Sequence, residues 1–488
     1  MQKKYNVEPN VVKKSEILKR KSFSGKDYWR FVSIENGLNL REMVDYKIGD
    51  SFLRDDFTFK DDCDKYRFIK TGNLSPHKVL VDFTNTQYCK PNGEFALEDG
   101  DILIAKDGGA SGLGDTSIYF KTDDKIIYDY FSGEVLRVRV RPEFDKWYIF
   151  AILKSEYFKE FLDGVTPGGS TLRHSKLLAL DLNIPYSEEI KLDIEYISSL
   201  MQNLVNKELQ MNEKIKLIDS KFNEELNVKN QNNIPNRYAK ISEMKHFNRM
   251  DTGIFNDEYK VIENCIKKYK NGYYYINLEN ISPGRTPDDY RYSNKKMENT
   301  FLWITPKNIN TLELIYRTYI GTKSISKISK TDIILSGIRY LGYGYYVDGE
   351  EVIFSNQNTL IISNDNKDKD EQIFLLTFLT SSLGKKMQMA WRIEGMVPIL
   401  YREGLSKIPI PNFNEKLRKE IVTLYYNEKN YDLKDIDANK YVTLSKERNK
   451  EIGIFQLNNE IIELKNIIES LVEKVILGKE IEKKYTSL

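Results

Sequence analysis

The sequence predicts an α+β fold of two related globular modules, pseudo-two-fold in arrangement and separated by long antiparallel coiled-coil helices. Three observations predict it. An internal repeat runs along the chain, each repeat unit mixes strand-like runs with turns, and a heptad period takes over after each unit.

The repeat is clearest in PGGSTLRHSKLLALDLNIP (167–185) and IEGMVPILYREGLSKIPIP (393–411). At an offset of 226, Gly169 falls on Gly395, Leu172 on Pro398, Ile184 on Ile410 and Pro185 on Pro411. The same offset pairs Leu153 and Ser155 with Leu379 and Ser381. Upstream, GDILIAKDGG from Gly100 matches TDIILSGIRY from Thr331 at an offset of 231, and FIKTGNL from Phe68 resembles WITPKNI from Trp303. Matches in constant order, with an offset that drifts by a few residues, are what loop insertions into a duplicated module leave behind.

Within a unit, Asp99-Gly100 sets a turn before the β-branched run DILIA, read as a buried strand. EVLRVRV at 134–140 alternates apolar and basic residues like a half-exposed strand, and WYIFAILKSEYFKEF from Trp147 has helical spacing. Each unit reads as an α+β globule of about 180 residues.

After each unit the period changes. Ile190, Ile194, Ile197, Met201, Leu204, Met211, Ile215, Ile218 and Phe222 alternate steps of four and three, interrupted at Glu208. Ser187 is the expected N-cap, with Glu188 and Glu189 in the first turn. VKNQNNIPNRY at 228–238 reads as a linker. The C-terminal stretch repeats the seam with Ile454, Leu457, Ile461, Leu464, Ile468, Leu471 and Val475, and Gly478 marks its expected end. The second unit carries extra residues at 426–450 before its long helix resumes. A two-position seam buries a narrow stripe, so the simplest expectation pairs the two long helices within the chain, antiparallel. The domains then read as module one at 1–187, central helix and linker at 188–233, module two at 234–413 and a C-terminal helical region at 414–488.

Composition narrows the function. The chain has 74 basic and 72 acidic residues, so bulk charge does not bind it to nucleic acid, though a local basic groove remains open. Cys63, Cys89 and Cys265 are scattered and odd in number, which suits a reducing cytoplasm. There is no apolar run of about 18 residues and no secretory pattern at the start, so no membrane partner is expected.

No catalytic constellation emerges. Gly109 to Thr116 has the glycine spacing of a nucleotide-binding loop, but Asp115 stands where the phosphate-binding lysine belongs and would repel phosphate. His77, His174 and His246 lie far apart with no cysteine cluster beside them. Asp99, Asp101 and Lys106 are the residue types of a metal-dependent nuclease without its tight spacing, and the Asn/Asp-Pro-Pro-aromatic signature of amino-methyltransferases is absent.

Two repeats, each with a GDIL-like strand, an LxSS-like helix and an IPIP-like turn leading into a long helix, resemble the type I restriction-modification specificity subunit. The motifs here are GDILIAKDGG, ILKSEYF and LNIPYSEEI, then TDIILSG, FLTSSLG and IPIPNFNEK, with RMDTGIFNDEYK at 249–260 similar to the family's lead-in. The residues at 426–450 are extra, and VKKSEILKRKSFSGKDYW lacks that lead-in. The resemblance implies a non-catalytic subunit with two target recognition domains, each reading one half of a split, asymmetric double-stranded DNA site. It implies docking of two methyltransferase subunits through the helix seams and assembly with restriction (translocase-nuclease) subunits. It also implies no cofactor on this chain, with S-adenosylmethionine, ATP and Mg on those partners. A coiled-coil scaffold with protein-binding ends, or the specificity part of a split methyltransferase-nuclease, is the rival reading.

Loops that follow strands supply candidate DNA contacts: Arg54, Lys70, Lys106 and Arg173 in the first unit, and Arg285, Lys307, Arg339 and Arg392 in the second. Arginine can read guanine bidentately, while lysine mostly holds phosphate. The first helix seam, at about 1.5 Å per residue, spans roughly 50 Å, so the expected target is two short specific parts around unread base pairs.

Overall fold

A computed structural model describes residues 37–50, 66–84, 96–108, 112–122, 128–166, 173–228, 253–293, 296–322, 332–348, 353–363, 368–393, 395–430 and 436–485, with short pieces besides. The 228–238 linker lies almost wholly outside the described residues, as does the first third of the 249–260 lead-in. Two compact units emerge. The first comprises 1–209, 430–448 and 463–488, and the second 210–429 and 449–462.

In the first unit, β1 (Val44–Ile48), β5 (Ile102–Ala105), β6 (Thr116–Ile118) and β8 (Val135–Val140) form an antiparallel sheet ordered β6-β5-β8-β1. Ile102, Leu103, Ile104 and Ala105 are all fully buried, as a strand covered on both faces requires. Strand β8 alternates in burial only over 136–139, with Val135 buried as well and Val140 half-buried. Its Arg139 grips Asp101 bidentately at 2.7 and 2.9 Å. A second sheet of β2 (Phe57–Thr58), β3 (Tyr66–Ile69), β4 (Gln87–Cys89) and β7 (Tyr128–Phe131) runs β7-β3-β4-β2, with β7 parallel to β3 and the other pairs antiparallel.

The second unit repeats this topology strand for strand. Strands β9 (Ile281–Pro283), β13 (Ile333–Ser336), β14 (Gly344–Tyr346) and β16 (Thr359–Ile362) form the antiparallel sheet β14-β13-β16-β9. Strands β10 (Arg291–Ser293), β11 (Thr300–Ile304), β12 (Thr318–Gly321) and β15 (Ile353–Ser355) form β15-β11-β12-β10, again with one parallel pair, β15 with β11. A mixed sheet with its single parallel pair at the same place, twice, identifies the repeat as a duplicated fold.

The matched motifs have local causes. In the first unit α1 (Lys146–Lys154) and α2 (Glu156–Val165) meet at Ser155, whose hydroxyl donates to the Ile152 carbonyl at 2.6 Å. In the second, Ser381 does the same to Phe378 at 2.6 Å, between α5 (Lys369–Thr380) and α6 (Ser382–Trp391). Each matched serine is therefore an elbow between helices. The Ile-Pro motifs close each module by strand pairing: Asn183–Pro185 against Gly37–Asn39, and Ile410–Pro411 against Tyr273–Tyr274. Of the lead-in, α4 (Asp257–Lys267) is described, and its Tyr259 hydroxyl accepts the Trp391 indole N–H at 2.8 Å.

The long helix α3 covers Lys191–Glu225 after a 3₁₀ turn at Glu188–Ile190. Ser187 stands at the N-cap of that turn with extended backbone, as expected, but its side chain makes no capping bond. Further on, α7 (Glu415–Tyr425), α8 (Ala438–Glu451) and α9 (Ile454–Ile476) complete the chain. Gly478, at φ +63°, ends α9 as expected, with the Lys479 N–H reaching back to the Lys474 carbonyl.

Helix pairing differs from the simple two-helix expectation. In the first unit, Tyr196 bonds the Lys484 carbonyl at 2.6 Å and Glu208 pairs with Lys465 at 2.8 Å, so α3 and α9 run antiparallel. The extra residues add α8 as a third helix. Asn203 donates to the Tyr441 hydroxyl at 2.7 Å, and the Tyr441 ring stacks on Tyr485 at 4.3 Å. In the second unit Lys214 donates to the Lys450 carbonyl at 2.7 Å, tying the end of α8 to α3. The reason is burial: α3 is covered well beyond a two-position stripe, with Tyr196, Leu200 and Val205 buried alongside the seam. Seam residues Ile194, Ile197, Met201, Leu204, Leu457, Ile461, Leu464, Ile468 and Leu471 are all buried by this packing within the chain, whereas Ile190 is only half-buried.

Polar side chains clasp each globule to its helices. In the second unit Asn458 accepts the Leu314 N–H and donates to the Leu314 carbonyl, both at 2.9 Å. Replacing Asn458 with alanine strands two buried backbone groups. The expected loss is roughly 1–3 kcal/mol, with water filling part of the space, read as a fall in the unfolding midpoint of the full chain.

Candidate nucleic-acid interface

Three loops of the second unit converge on one open cleft of about 580 Å³. The first follows β11. There Thr305, Pro306 and Lys307 turn around the buried Asn308, whose side-chain oxygen accepts the Thr305 N–H at 2.9 Å and the Thr305 hydroxyl at 2.6 Å. The first unit builds the same turn from Lys70 to Asn73, with Asn73 accepting the Lys70 N–H at 2.8 Å. A buried asparagine thus closes the loop in both repeats and turns the preceding position outward, Lys307 in one and Gly72 in the other.

The second loop follows β13. Ile338 bridges Ile399, the Arg339 N–H donates to the Pro398 carbonyl at 2.9 Å, and Arg339 sits at φ +62°. The third, between β15 and β16, presents Asn356 and Asn358, with the Asn358 N–H bonded to the Asn356 side chain at 3.1 Å. Aromatic rings complete the wall. Tyr292 is 63% exposed, Tyr290 stacks on Trp303 at 6.3 Å, and Tyr340 lies flat against Tyr343 at 5.8 Å. Arg285 follows Gly284, which packs against the Asn356 carbonyl at the edge of this surface.

Pairing separates the candidate cations. Lys307, Arg339 and Arg285 are exposed, and among the described residues their charged ends make no ion pair or hydrogen bond. Lys106 is the opposite. It is buried and pairs with Asp107 at 2.6 Å, which leaves no open face for a phosphate. Arg392 is half-buried and donates to the Met389 carbonyl at 2.8 Å. Lys70 is half-buried with its ammonium 5.7 Å from the Phe68 ring. The backbone of Arg173 pairs with Gly108, and Arg54 lies outside the described residues. Asp101, one of the nuclease-type carboxylates, is engaged by Arg139, and Asp99 accepts the Lys121 N–H at 2.7 Å.

Laying the two topologies over each other shows how the corresponding surface of the first unit differs. The shared backbone bonds place Asp50 where Arg285 stands, Gly72 for Lys307, Asp107 and Gly108 for Ile338 and Arg339, and Glu134 for Asn358. Asp107 there also lies 3.1 Å from His174. One scaffold carries a cationic, amide-rich loop set in one copy and a carboxylate-rich set in the other. Of the residues lining this cleft, sequence reading named Lys307 and Arg339 but not Asn356, Asn358, Tyr292 or Tyr340. The FIKTGNL and WITPKNI match held the signal for the turn, because its shared asparagine closes the loop.

No family model matches the chain. It is 26% identical over 233 residues to the type I restriction enzyme MjaVIII specificity subunit of Methanocaldococcus jannaschii, a match covering 44% of this chain. The chain resembles a type I restriction specificity subunit. It spans about half the length of that relative, 52%. Among solved structures it is similar to the type I restriction-modification S subunit of M. genitalium, with 14% identity, a TM-score of 0.39 and coverage of 90% of this chain and 95% of that one. It is also similar to the HsdS subunit of Thermoanaerobacter tengcongensis, with 12% identity, a TM-score of 0.27 and coverage of 91% and 96%. Among the described residues, no helix is long and apolar enough to cross a membrane.

Proposed function

We propose that this chain is the DNA sequence-specificity subunit of a type I restriction-modification complex, and that it performs no chemistry itself. The observation that carries the reading is the duplicated module with divergent loops. One two-sheet scaffold, built twice, presents Arg285, Lys307, Arg339, Asn356 and Asn358 in one copy and Asp50, Asp107, Glu134 and His174 in the other. A scaffold that holds geometry constant while loop chemistry varies is suited to reading two different short sequences. The similarity to the Methanocaldococcus jannaschii specificity subunit supports the same reading.

In this proposal each module reads one part of a split double-stranded target, and the helices α3 and α9 set the spacing of the two parts. Two methyltransferase subunits would act on adenine with S-adenosylmethionine, and restriction subunits would supply ATP- and Mg-dependent translocation and cleavage. Apart from the half-buried Ile190 and Ile215, the seam residues are already buried within the chain, so partner subunits would dock on other helix faces.

The test is methylation mapping. The purified chain with duplex DNA and S-adenosylmethionine should yield no product, and addition of its cognate methyltransferase should produce adenine methylation at one bipartite motif. Deleting the gene should erase that motif from the source genome's methylation map. Turnover by the chain alone, or an unchanged map after deletion, would overturn the proposal.

A further inference from the structure

Given DNA reading as proposed above, one side chain in the second unit's cleft is set apart by its backbone. Arg339 adopts φ +62°, a left-handed conformation that glycine takes freely and a long side chain rarely does. Packing does not require an arginine there, since its side chain is exposed and unpaired among the described residues. The loop nevertheless holds it rigidly. The Arg339 N–H is bonded to Pro398, Ile338 is bridged to Ile399, and the Ser336 hydroxyl donates to the Ile338 carbonyl at 2.9 Å. Strained positions that the surroundings hold this firmly cluster at functional sites.

The neighbours fit one ligand chemistry. Arg339 shares the cleft with Lys307, Asn356, Asn358 and Tyr340, and none of these is a carboxylate that would neutralise it. A guanidinium's planar fork matches the two acceptors on a guanine's major-groove edge, whereas an ammonium acts as a point charge suited to phosphate. In the first unit the matching position is Gly108, beside the Lys106–Asp107 ion pair. Among the described residues, the first module thus places a glycine, and no arginine, at the matching position.

We propose that Arg339 is the specificity-determining residue through which the second module reads a guanine, with Lys307 and Arg285 holding flanking phosphates. The guanine read by Arg339 then belongs to the second module's part of the split target.

The experiment selects binding sites for the full chain from a randomised duplex library, alongside R339Q and R339G. Wild type should enrich a bipartite motif with a guanine preferred roughly ten- to a hundredfold at one position. R339Q keeps a side chain under the same backbone constraint. It should flatten that position or turn it to adenine, with the other part of the motif unchanged. R339G should lose the same preference yet unfold at a higher temperature than wild type, because it releases the backbone strain; that pairing separates lost reading from lost folding. If R339Q and wild type enrich the same motif, guanine included, the assignment of Arg339 fails while DNA reading stands. If wild type enriches no motif, DNA reading fails and this assignment with it.

Discussion

Replacing Asp129 with alanine should destabilise the first unit by about 3–5 kcal/mol, the cost of leaving a buried charge without its partner. Asp129 is fully buried and receives two bonds from Arg67, at 2.6 and 2.7 Å, directly across the parallel β7–β3 pair. It also accepts the Tyr119 hydroxyl at 2.7 Å, and burial followed by the Asp129 charge pushes that hydroxyl's pKa well up. Without the carboxylate, the Arg67 guanidinium stays buried against the Phe83 ring, 3.9 Å away. For a unit of this size the unfolding midpoint should drop by roughly 6–20 °C, measured by calorimetry on the full chain.

The second repeat shows what else the site tolerates. At the corresponding pair, β11 and β15 place Leu302 opposite Ile353. The same scaffold thus holds an ion pair in one copy and two aliphatic side chains in the other. The combined R67L, Y119F and D129I variant removes the ion pair and the tyrosine hydroxyl together, leaving only the half-buried Thr122 hydroxyl of the cluster. It should lie within about 1–2 kcal/mol of wild type, and could exceed it, because burying two charges costs several kcal/mol that their attraction only offsets. A triple variant as damaged as D129A would refute this account.

Glu208→Ala should cost about 3–5 kcal/mol by the same logic of an abandoned partner. The carboxylate looks like a fault in the heptad seam. It is buried, it accepts the N–H groups of Val79 and Leu80 at 3.0 and 3.1 Å, and it pairs with Lys465 at 2.8 Å. Burial pushes its pKa up, but Lys465, Lys78 and the Leu80 N–H together outweigh burial and hold it below the ordinary value. A carboxyl depressed in the folded state contributes fully above its unfolded pKa and loses that contribution as pH falls through the folded one. The gap in stability between wild type and E208Q should therefore be widest near neutrality. It should close as acid protonates Glu208, which denaturant titrations at several pH values would show.

Most of the architecture was legible in the chain itself, because hydrophobic period and duplicated turn chemistry are local. The repeat, the α+β modules, the long helices and the end of α9 at Gly478 follow from steps of two, three and four and from glycine's access to positive φ. The polar breaks were not legible. Glu208 and Asn458 are hydrophilic residues on apolar faces, and their partners at Val79, Leu80 and Leu314 lie more than a hundred positions away. The third helix was hidden for a related reason: Ala438–Glu451 is strongly charged, and only the burial of Tyr441 against Asn203 and Tyr485 explains its place.

The candidate site divides the same way. Sequence alone determined that the loops after strands carry cations, and it named Lys106 and Arg339 on equal terms. Tertiary structure gives them different surroundings. Lys106 is closed off by the neighbouring Asp107, while Arg339 is held out by a positive φ and a bond to Pro398, a residue 59 positions on. The physical reason is that a charge's role depends on what neutralises it. Spacing along a chain records period and propensity, whereas neutralisation is set by groups that only folding brings within a few ångströms.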